Sequence, residues 1–232
     1  MMNVSRRISL FGAFSLVTLF SSLFHAGRAA AQEPVTAVRK QLNRLDLGVG
    51  GSFQLGSNSS GTTYLPQLVT LKPSTTVGLL IQLRYTKSPL IGAEFNYGYS
   101  RFTEDFNVTN TPASPPNSSQ FPLGIQSVVS EYTLGYLAHG PRRFGVQPFA
   151  GVGGGAVAFK PTLFGGQGVL SQARGAFYYT VGAENIVLGQ HFGVRAQFRQ
   201  LFYAAPDFQA NYLANGQRSV TTEPTIGFFL KY

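Results

Sequence analysis

The sequence predicts an all-β protein, an eight-stranded antiparallel up-and-down barrel. Apolar and polar side chains alternate with a period of two in eight separate segments, whereas no segment after the N-terminal region shows a convincing helical period. Long and short connections alternate between these segments. Only 12% of the residues are charged, against about 25% in soluble domains. Glycine and aromatic residues are abundant instead, with 27 Gly, 20 Phe and 11 Tyr.

The N-terminal region is expected to be a signal peptide. Arg6 and Arg7 precede an apolar run from Ile8 to Phe24, and three alanines end at Ala31, where we expect cleavage. The run is marginal for a membrane-spanning helix, which needs about 20 residues. The chain has no cysteine, so it offers no disulfide or lipid-attachment site. The expected organisation is a signal peptide over 1–31, a short periplasmic tail over 32–43 and a barrel over 44–232.

The alternation assigns most side chains of each strand to one of two faces. In the first strand Leu47 and Val49 lie on one face, while Asp46 and Gly48 lie on the other. Leu80 interrupts the pattern of the second strand, and the fifth strand is too rich in glycine and alanine to assign its faces. The remaining strands begin near Val77, Ile91, Val128, Val146, Phe177, Val194 and Ile226.

Connections of two kinds join the strands. Short turns lie at 86–89, 139–142 and 188–191, and longer, polar, proline-containing segments lie at 56–75, 103–124, 160–172 and 204–218. Segment 103–124 is expected to be an exposed, mobile loop. The strand count stays open between eight and ten, because one long segment could contain a hairpin.

The chemistry of the two faces predicts which one is inside. The polar face carries many glycines and few charges, which suits the interior of a narrow eight-stranded barrel. The apolar face carries aromatic residues towards the strand ends, as the lipid-facing surface of a transmembrane barrel does. Long connections at one rim and short turns at the other are typical of bacterial outer-membrane barrels. We therefore expect a transmembrane barrel in the cell outer membrane.

Several strand sequences resemble a known family. Residues 92–100, 151–156, 182–185 and 193–199 resemble strand motifs of the outer-membrane protein β-barrel domain group. That group comprises the small barrels of the outer-membrane protein A N-terminal domain and opacity-protein type. The resemblance implies an eight-stranded barrel and, at Phe228, Leu230 and Tyr232, a signal recognised by the barrel-assembly machinery. The peptidoglycan-binding module of larger members is not expected here.

Charged residues on the polar face are the candidate site. Buried charges must be paired or hydrated, so we expect an arginine–carboxylate network that fills and fixes the lumen. The alternative is a gated or narrow ion path through the same residues. The predicted lumen charge network comprises Arg44, Asp46, Arg84, Glu94, Glu131, Glu184, Arg195 and Arg199.

No catalytic, cofactor-binding or metal-binding residues are expected. His139 and His191 are predicted to lie in short turns, away from a site that would act on outer-leaflet lipid. The glycines at 151–155 lack the following helix that a phosphate-binding loop requires. The formal net charge of +9 favours lipid and lipopolysaccharide over nucleic acid as a partner of an exported protein.

The expected function is non-enzymatic, and the protein is expected to be a monomer. A structural or surface-interaction role through the long loops is preferred. A narrow pore for small solutes is the alternative, and a lipid-modifying enzyme ranks third.

Overall fold

The computed structural model describes residues 41–189 and 191–231, without the side chain of Leu188. The predicted signal peptide, most of the predicted tail and Tyr232 lie outside the described residues. The strands are β1 (Leu45–Gly56), β2 (Ser59–Thr62), β3 (Gln67–Pro73), β4 (Thr76–Thr86), β5 (Ile91–Asn110), β6 (Phe121–His139), β7 (Val146–Pro161), β8 (Gln172–Leu188), β9 (Phe192–Ala204) and β10 (Arg218–Lys231).

Eight of these strands close into a barrel. They pair antiparallel in the order β4, β1, β10, β9, β8, β7, β6 and β5, and β5 pairs back with β4. The predicted eight-stranded antiparallel barrel is therefore confirmed. Strands β2 and β3 form a hairpin outside this ring, and β3 pairs with residues 104–110 of β5. In the described part of the chain, no helix has the length and hydropathy to cross a membrane.

The lower part of the barrel, which ends in the short turns, has polar side chains inside and apolar side chains outside. In β1, Asp46 and Ser52 are buried while Val49 and Phe53 are exposed, as the alternation predicts. Leu80 is buried in the interior despite its apolar character. The faces of β7, which the sequence left unassigned, follow from Phe149, Val157 and Phe159, all of which are buried.

A belt of exposed apolar side chains surrounds this lower part. Their exposure would be unfavourable in water, and a closed barrel satisfies its backbone hydrogen bonds without solvent, as a lipid environment requires. The belt includes Val49, Phe53, Val77, Leu83, Phe95, Leu134, Tyr136, Val152, Phe177, Ile226 and Phe228.

The predicted loop at 103–124 is largely wrong, because β5 and β6 continue as paired strands through most of it. Their ladder extends to Val108 opposite Phe121, and residues 111–120 alone connect them. The alternation continues, but its polarity inverts above Arg101: Phe102 and Phe106 face inward, and Asp105 faces outward. The inversion is expected where a barrel leaves lipid for water, since the outer face must then be polar.

The upper part of the barrel, beyond the belt, has an apolar core. The β2–β3 hairpin contributes Val69 and Leu71, which are fully buried. Segment 205–217, with a short 3-10 helix at Asn211–Leu213, contributes Phe208, whose ring packs edge-on against Phe106 and Phe159 at 6.2 and 6.4 Å. Residues distant in sequence thus close the long-loop end of the lumen.

Candidate functional site

The interior charges form two groups. In the first, Arg195 contacts Asp46 and Glu184, each at 2.9 Å. Arg84 contacts Glu94 at 2.9 Å and Glu184 at 3.5 Å. Glu184 therefore joins the two arginines, and β1, β4, β5, β8 and β9 are linked across the lumen.

The second group is centred on Arg199, whose side chain is fully buried. Its guanidinium binds Glu131 on β6 and Glu223 on β10, the latter at 2.8 Å. Glu223 is not among the predicted network residues, because the predicted last strand begins near Ile226. The polar face of β10 does continue backwards from Thr225 to Glu223 and Thr221, so the alternation itself contained this signal.

Each interior arginine also lies against an aromatic ring. The guanidinium carbons of Arg84, Arg195 and Arg199 lie 4.2, 4.6 and 4.8 Å from the ring centroids of Phe149, Phe229 and Tyr178, respectively. Cation–π contacts of this kind are strongest where water is excluded. The arginines are thus fixed by a carboxylate and a ring together.

Tyr178 occupies volume that glycines leave free. A Cβ atom on Gly135 would lie 2.2 Å from the Tyr178 hydroxyl oxygen, and one on Gly153 would lie 2.6 Å from its ring. The Tyr178 hydroxyl donates a hydrogen bond of 2.8 Å to Glu94. The ring therefore connects the two charge groups, because it contacts Arg199 and Glu94 at once.

The structure does not bring Arg44 into the network. Arg44 precedes β1 and is partly exposed, and its guanidinium lies 3.5 Å from the Tyr85 hydroxyl. Among the described residues it forms no ion pair. The other seven predicted network residues all face the interior and join one of the two groups.

Two cavities lined by described interior residues are small. A cavity of about 20 Å³ lies between Glu131, Glu223 and Tyr203, and another of about 10 Å³ lies beside Gln82 and Arg195. A single water molecule needs roughly 10–15 Å³. These volumes accommodate isolated waters and nothing larger.

The two histidines of the described chain lie at the short-turn rim. His139 was predicted to be in a turn, but it is the last residue of β6 and is buried against the Phe149 ring at 6.3 Å. His191 is exposed, and its Nδ1 lies 2.9 Å from the Lys231 carbonyl oxygen. In the described ranges, no cluster of His, Asp and Glu has the arrangement of a metal site.

Among the residues that the structure describes, Glu104 is the one carboxylate in the apolar upper core. Its side chain is 1% exposed, and its Oε2 has no hydrogen-bond partner among the described residues. Burial raises the pKa of this carboxyl well above its ordinary value. The buried site therefore favours the protonated, neutral form of Glu104.

Comparisons with known proteins define the fold. No protein-family model and no curated sequence matches the chain. The outer-membrane protein OprG from Pseudomonas aeruginosa superposes with a TM-score of 0.52 at 15% identity, covering 81% of this chain and 95% of OprG. The chain has the fold of a small outer-membrane barrel. With the apolar belt, this places it in the outer membrane.

Two other solved barrels match at lower similarity. Neisserial surface protein A has a TM-score of 0.45 at 10% identity, covering 81% of this chain and 97% of its own. Ail, the attachment invasion locus protein of Yersinia pestis, has a TM-score of 0.43 at 12% identity, with coverages of 80% and 97%.

Proposed function

We propose that this protein is a non-enzymatic outer-membrane barrel with a closed lumen, whose long-loop half serves a structural or surface-interaction role. The filled interior is the observation that carries the proposal. Ion pairs cross the lower lumen, and an apolar core fills the upper lumen. A solute larger than water would have to disrupt both layers.

The long-loop half offers surface for contact. Tyr64 is 69% exposed, and Leu163 and Phe164 are 96% and 101% exposed. Large exposed apolar side chains on a rigid scaffold are common where proteins bind partners. By the usual orientation of such barrels, this half faces the cell exterior.

A narrow path for ions or water is the second candidate. It is favoured by the row of charged side chains across the lumen. It is also favoured by buried N–H groups that lack a hydrogen-bond partner, at Arg84 Nη1, Arg195 Nη1 and Gln197 Nε2 among the described residues. Water molecules that satisfy these groups would form parts of such a path.

Planar-bilayer conductance of the refolded protein separates the two candidates. We expect no conductance steps from the wild type, because the lumen is filled. A Glu94→Gln, Arg195→Gln double variant tests the network, and Arg142→Gln, Arg143→Gln, at an exposed turn, is the control. Reproducible wild-type steps that change in the network variant but not in the control would establish the pore instead.

A lipid-modifying activity is tested separately, by mass spectrometry of lipid A and phospholipids from cells that express the protein. We expect unchanged lipids, since His139 packs on a ring and His191 contacts a backbone carbonyl. A new lipid species that disappears in a His139→Ala or His191→Ala variant would contradict the non-enzymatic proposal.

We also infer that Phe228 and Leu230, with Tyr232, act as the assembly signal. The first two are 59% and 58% exposed on the belt and so accessible to the assembly machinery. Phe228→Ser with Leu230→Ser should reduce the folded, heat-modifiable fraction in cells. An unchanged fraction would contradict this role.

A further inference from the structure

Carboxylates and cationic side chains are distributed differently between the interior and the exterior of the barrel. Six of the eight described carboxylates face the interior: Asp46, Glu94, Glu104, Glu131, Glu184 and Glu223. Asp105 and Asp207 remain outside. Among the described cations, Arg84, Arg195 and Arg199 lie inside, and the other ten lie at the two rims. The rims and the outer surface together therefore carry a strong excess of positive charge.

Two of the rim cations lie at one level at the upper edge of the belt, on strands separated by β6. Arg101 on β5 is opposite Val128 on β6, and Val128 is opposite Lys160 on β7. Residues opposite each other in an antiparallel ladder point to the same side, so both cations face outward from one level. Both are exposed, and neither forms an ion pair among the described residues. Asp105, on the same outer face of β5, does not pair with Arg101.

Gln126 holds this region in place. Its Oε1 accepts hydrogen bonds from Arg101 Nη2 at 2.6 Å and from Thr162 Oγ1 at 3.1 Å. Two backbone hydrogen bonds of 2.8 Å bind the β7–β8 connection to β6. They run from Gln126 N to the Gly165 carbonyl and from Thr162 N to the Gln126 carbonyl. Leu163 and Phe164 lie between these anchor points and are almost fully exposed.

We propose that Arg101, Lys160, Leu163 and Phe164, here called the rim patch, bind the phosphorylated headgroup region of an outer-leaflet lipid. Lipid A is the occupant that fits. The two cations would bind a phosphate group, and the two exposed apolar side chains would contact the same headgroup region on its water side.

The position of the rim patch favours a membrane lipid over a soluble anion. Tyr99, two residues before Arg101 on the same face, belongs to the exposed aromatic edge of the belt. The cations therefore lie at headgroup depth, where cationic residues attract anionic lipid. A site for free phosphate would not need two fully exposed apolar side chains beside the cations. This proposal depends on the membrane placement and not on whether the lumen is closed.

The test is native mass spectrometry of the refolded full barrel, titrated with bisphosphorylated lipid A. We expect the Arg101→Gln, Lys160→Gln variant to bind at least about tenfold more weakly, since two cations at the membrane surface are lost. Leu163→Ser with Phe164→Ser should also weaken binding. Heat-modifiable migration in gels verifies that each variant is folded.

Lys87→Gln with Arg142→Gln is the matched control, because it removes two exposed cations from the opposite rim. It should bind lipid A as the wild type does. Lipid A without phosphates should bind weakly, and millimolar inorganic phosphate should not displace lipid A. Equal binding by the rim-patch variants and the wild type would overturn the proposal, as would equal binding of dephosphorylated lipid A or displacement by inorganic phosphate.

Discussion

At the residue scale, small and large side chains are matched inside the barrel. Gly135 and Gly153 leave the space that the Tyr178 ring fills, and that ring supports both Arg199 and Glu94. The abundance of glycine on the polar face thus has a steric cause. Interior glycine here serves the packing of a neighbouring ring rather than backbone flexibility.

We expect Gly135→Val to destabilise the barrel by about 1–3 kcal/mol or more, because its side chain would overlap the Tyr178 hydroxyl. Unfolding in urea, followed by heat-modifiable gel migration, measures the change. Gly51→Val is the control, since nothing lies within 4 Å of a Cβ at Gly51. Equal midpoints for the two variants would contradict the steric explanation.

The contribution of Glu104 to folding stability should change with pH in the opposite direction to that of most carboxylates. Its raised pKa means that the folded state keeps a proton that the unfolded state releases as the pH rises above the ordinary value. The contribution of Glu104 to stability is therefore complete below that value and is lost as the pH rises towards its folded pKa.

Glu104→Gln should reduce the loss of stability between pH 5 and pH 8. Urea unfolding of the wild type and the variant at both pH values measures this difference. Asp105→Asn, an exposed neighbour on the outer face of β5, should retain the wild-type slope. A Glu104→Gln slope as steep as that of the wild type would show that the carboxyl is ionised when buried.

At the scale of secondary-structure elements, segment 205–217 closes the long-loop end of the barrel. Phe208 is 1% exposed and packs on Phe106 and Phe159. Two further contacts hold the segment: Asp207 forms an ion pair of 2.7 Å with Arg174, and its backbone N–H donates to Gln172. The segment therefore behaves as part of the core rather than as a free loop.

Phe208→Ala should cost about 3–5 kcal/mol of local stability, because it leaves a cavity in the upper core. Increased proteolysis and faster hydrogen exchange in 205–217 would report the loss, while the lower strands stay protected. Phe164→Ala removes an exposed ring of the same size and should leave both measurements unchanged. Unchanged protection in Phe208→Ala would mean that Phe208 does not hold the segment.

At the scale of the whole molecule, the two halves of the barrel lie in different environments. Lipid surrounds a lower half that is apolar outside and polar inside, and water surrounds an upper half with the opposite arrangement. The change occurs within single strands, most clearly at Arg101 of β5. Stability in the membrane thus depends on the outer face of the lower half.

Leu134→Arg should destabilise the inserted barrel by about 2–4 kcal/mol, since Leu134 lies midway along the lipid-facing run of β6 and is 64% exposed. The folded fraction after refolding into liposomes measures the effect. Leu170→Arg, at an exposed position of the β7–β8 connection, should fold as the wild type does. Equal yields would place Leu134 outside the hydrocarbon region.

The alternation of side chains predicts the barrel, its lipid-facing surface and most of its interior charges. The side-chain period of a strand is local, so Asp46, Arg84 and Arg195 could each be placed inside from their own neighbours. Arg44 lies outside the charge network because the predicted strand starts one residue before β1 begins.

The closure of the lumen depends instead on contacts between residues that are far apart in the sequence. Segment 103–124 is predicted as a loop because its outward residues, such as Asp105, are polar. The alternation does not show whether lipid or water surrounds a strand, so a water-exposed strand resembles a loop. The partners of Arg199, and the meeting of Leu71, Phe106 and Phe208, depend on how the strands are staggered around the ring. Ring closure brings together residues separated by more than a hundred positions, and no local pattern encodes that distance.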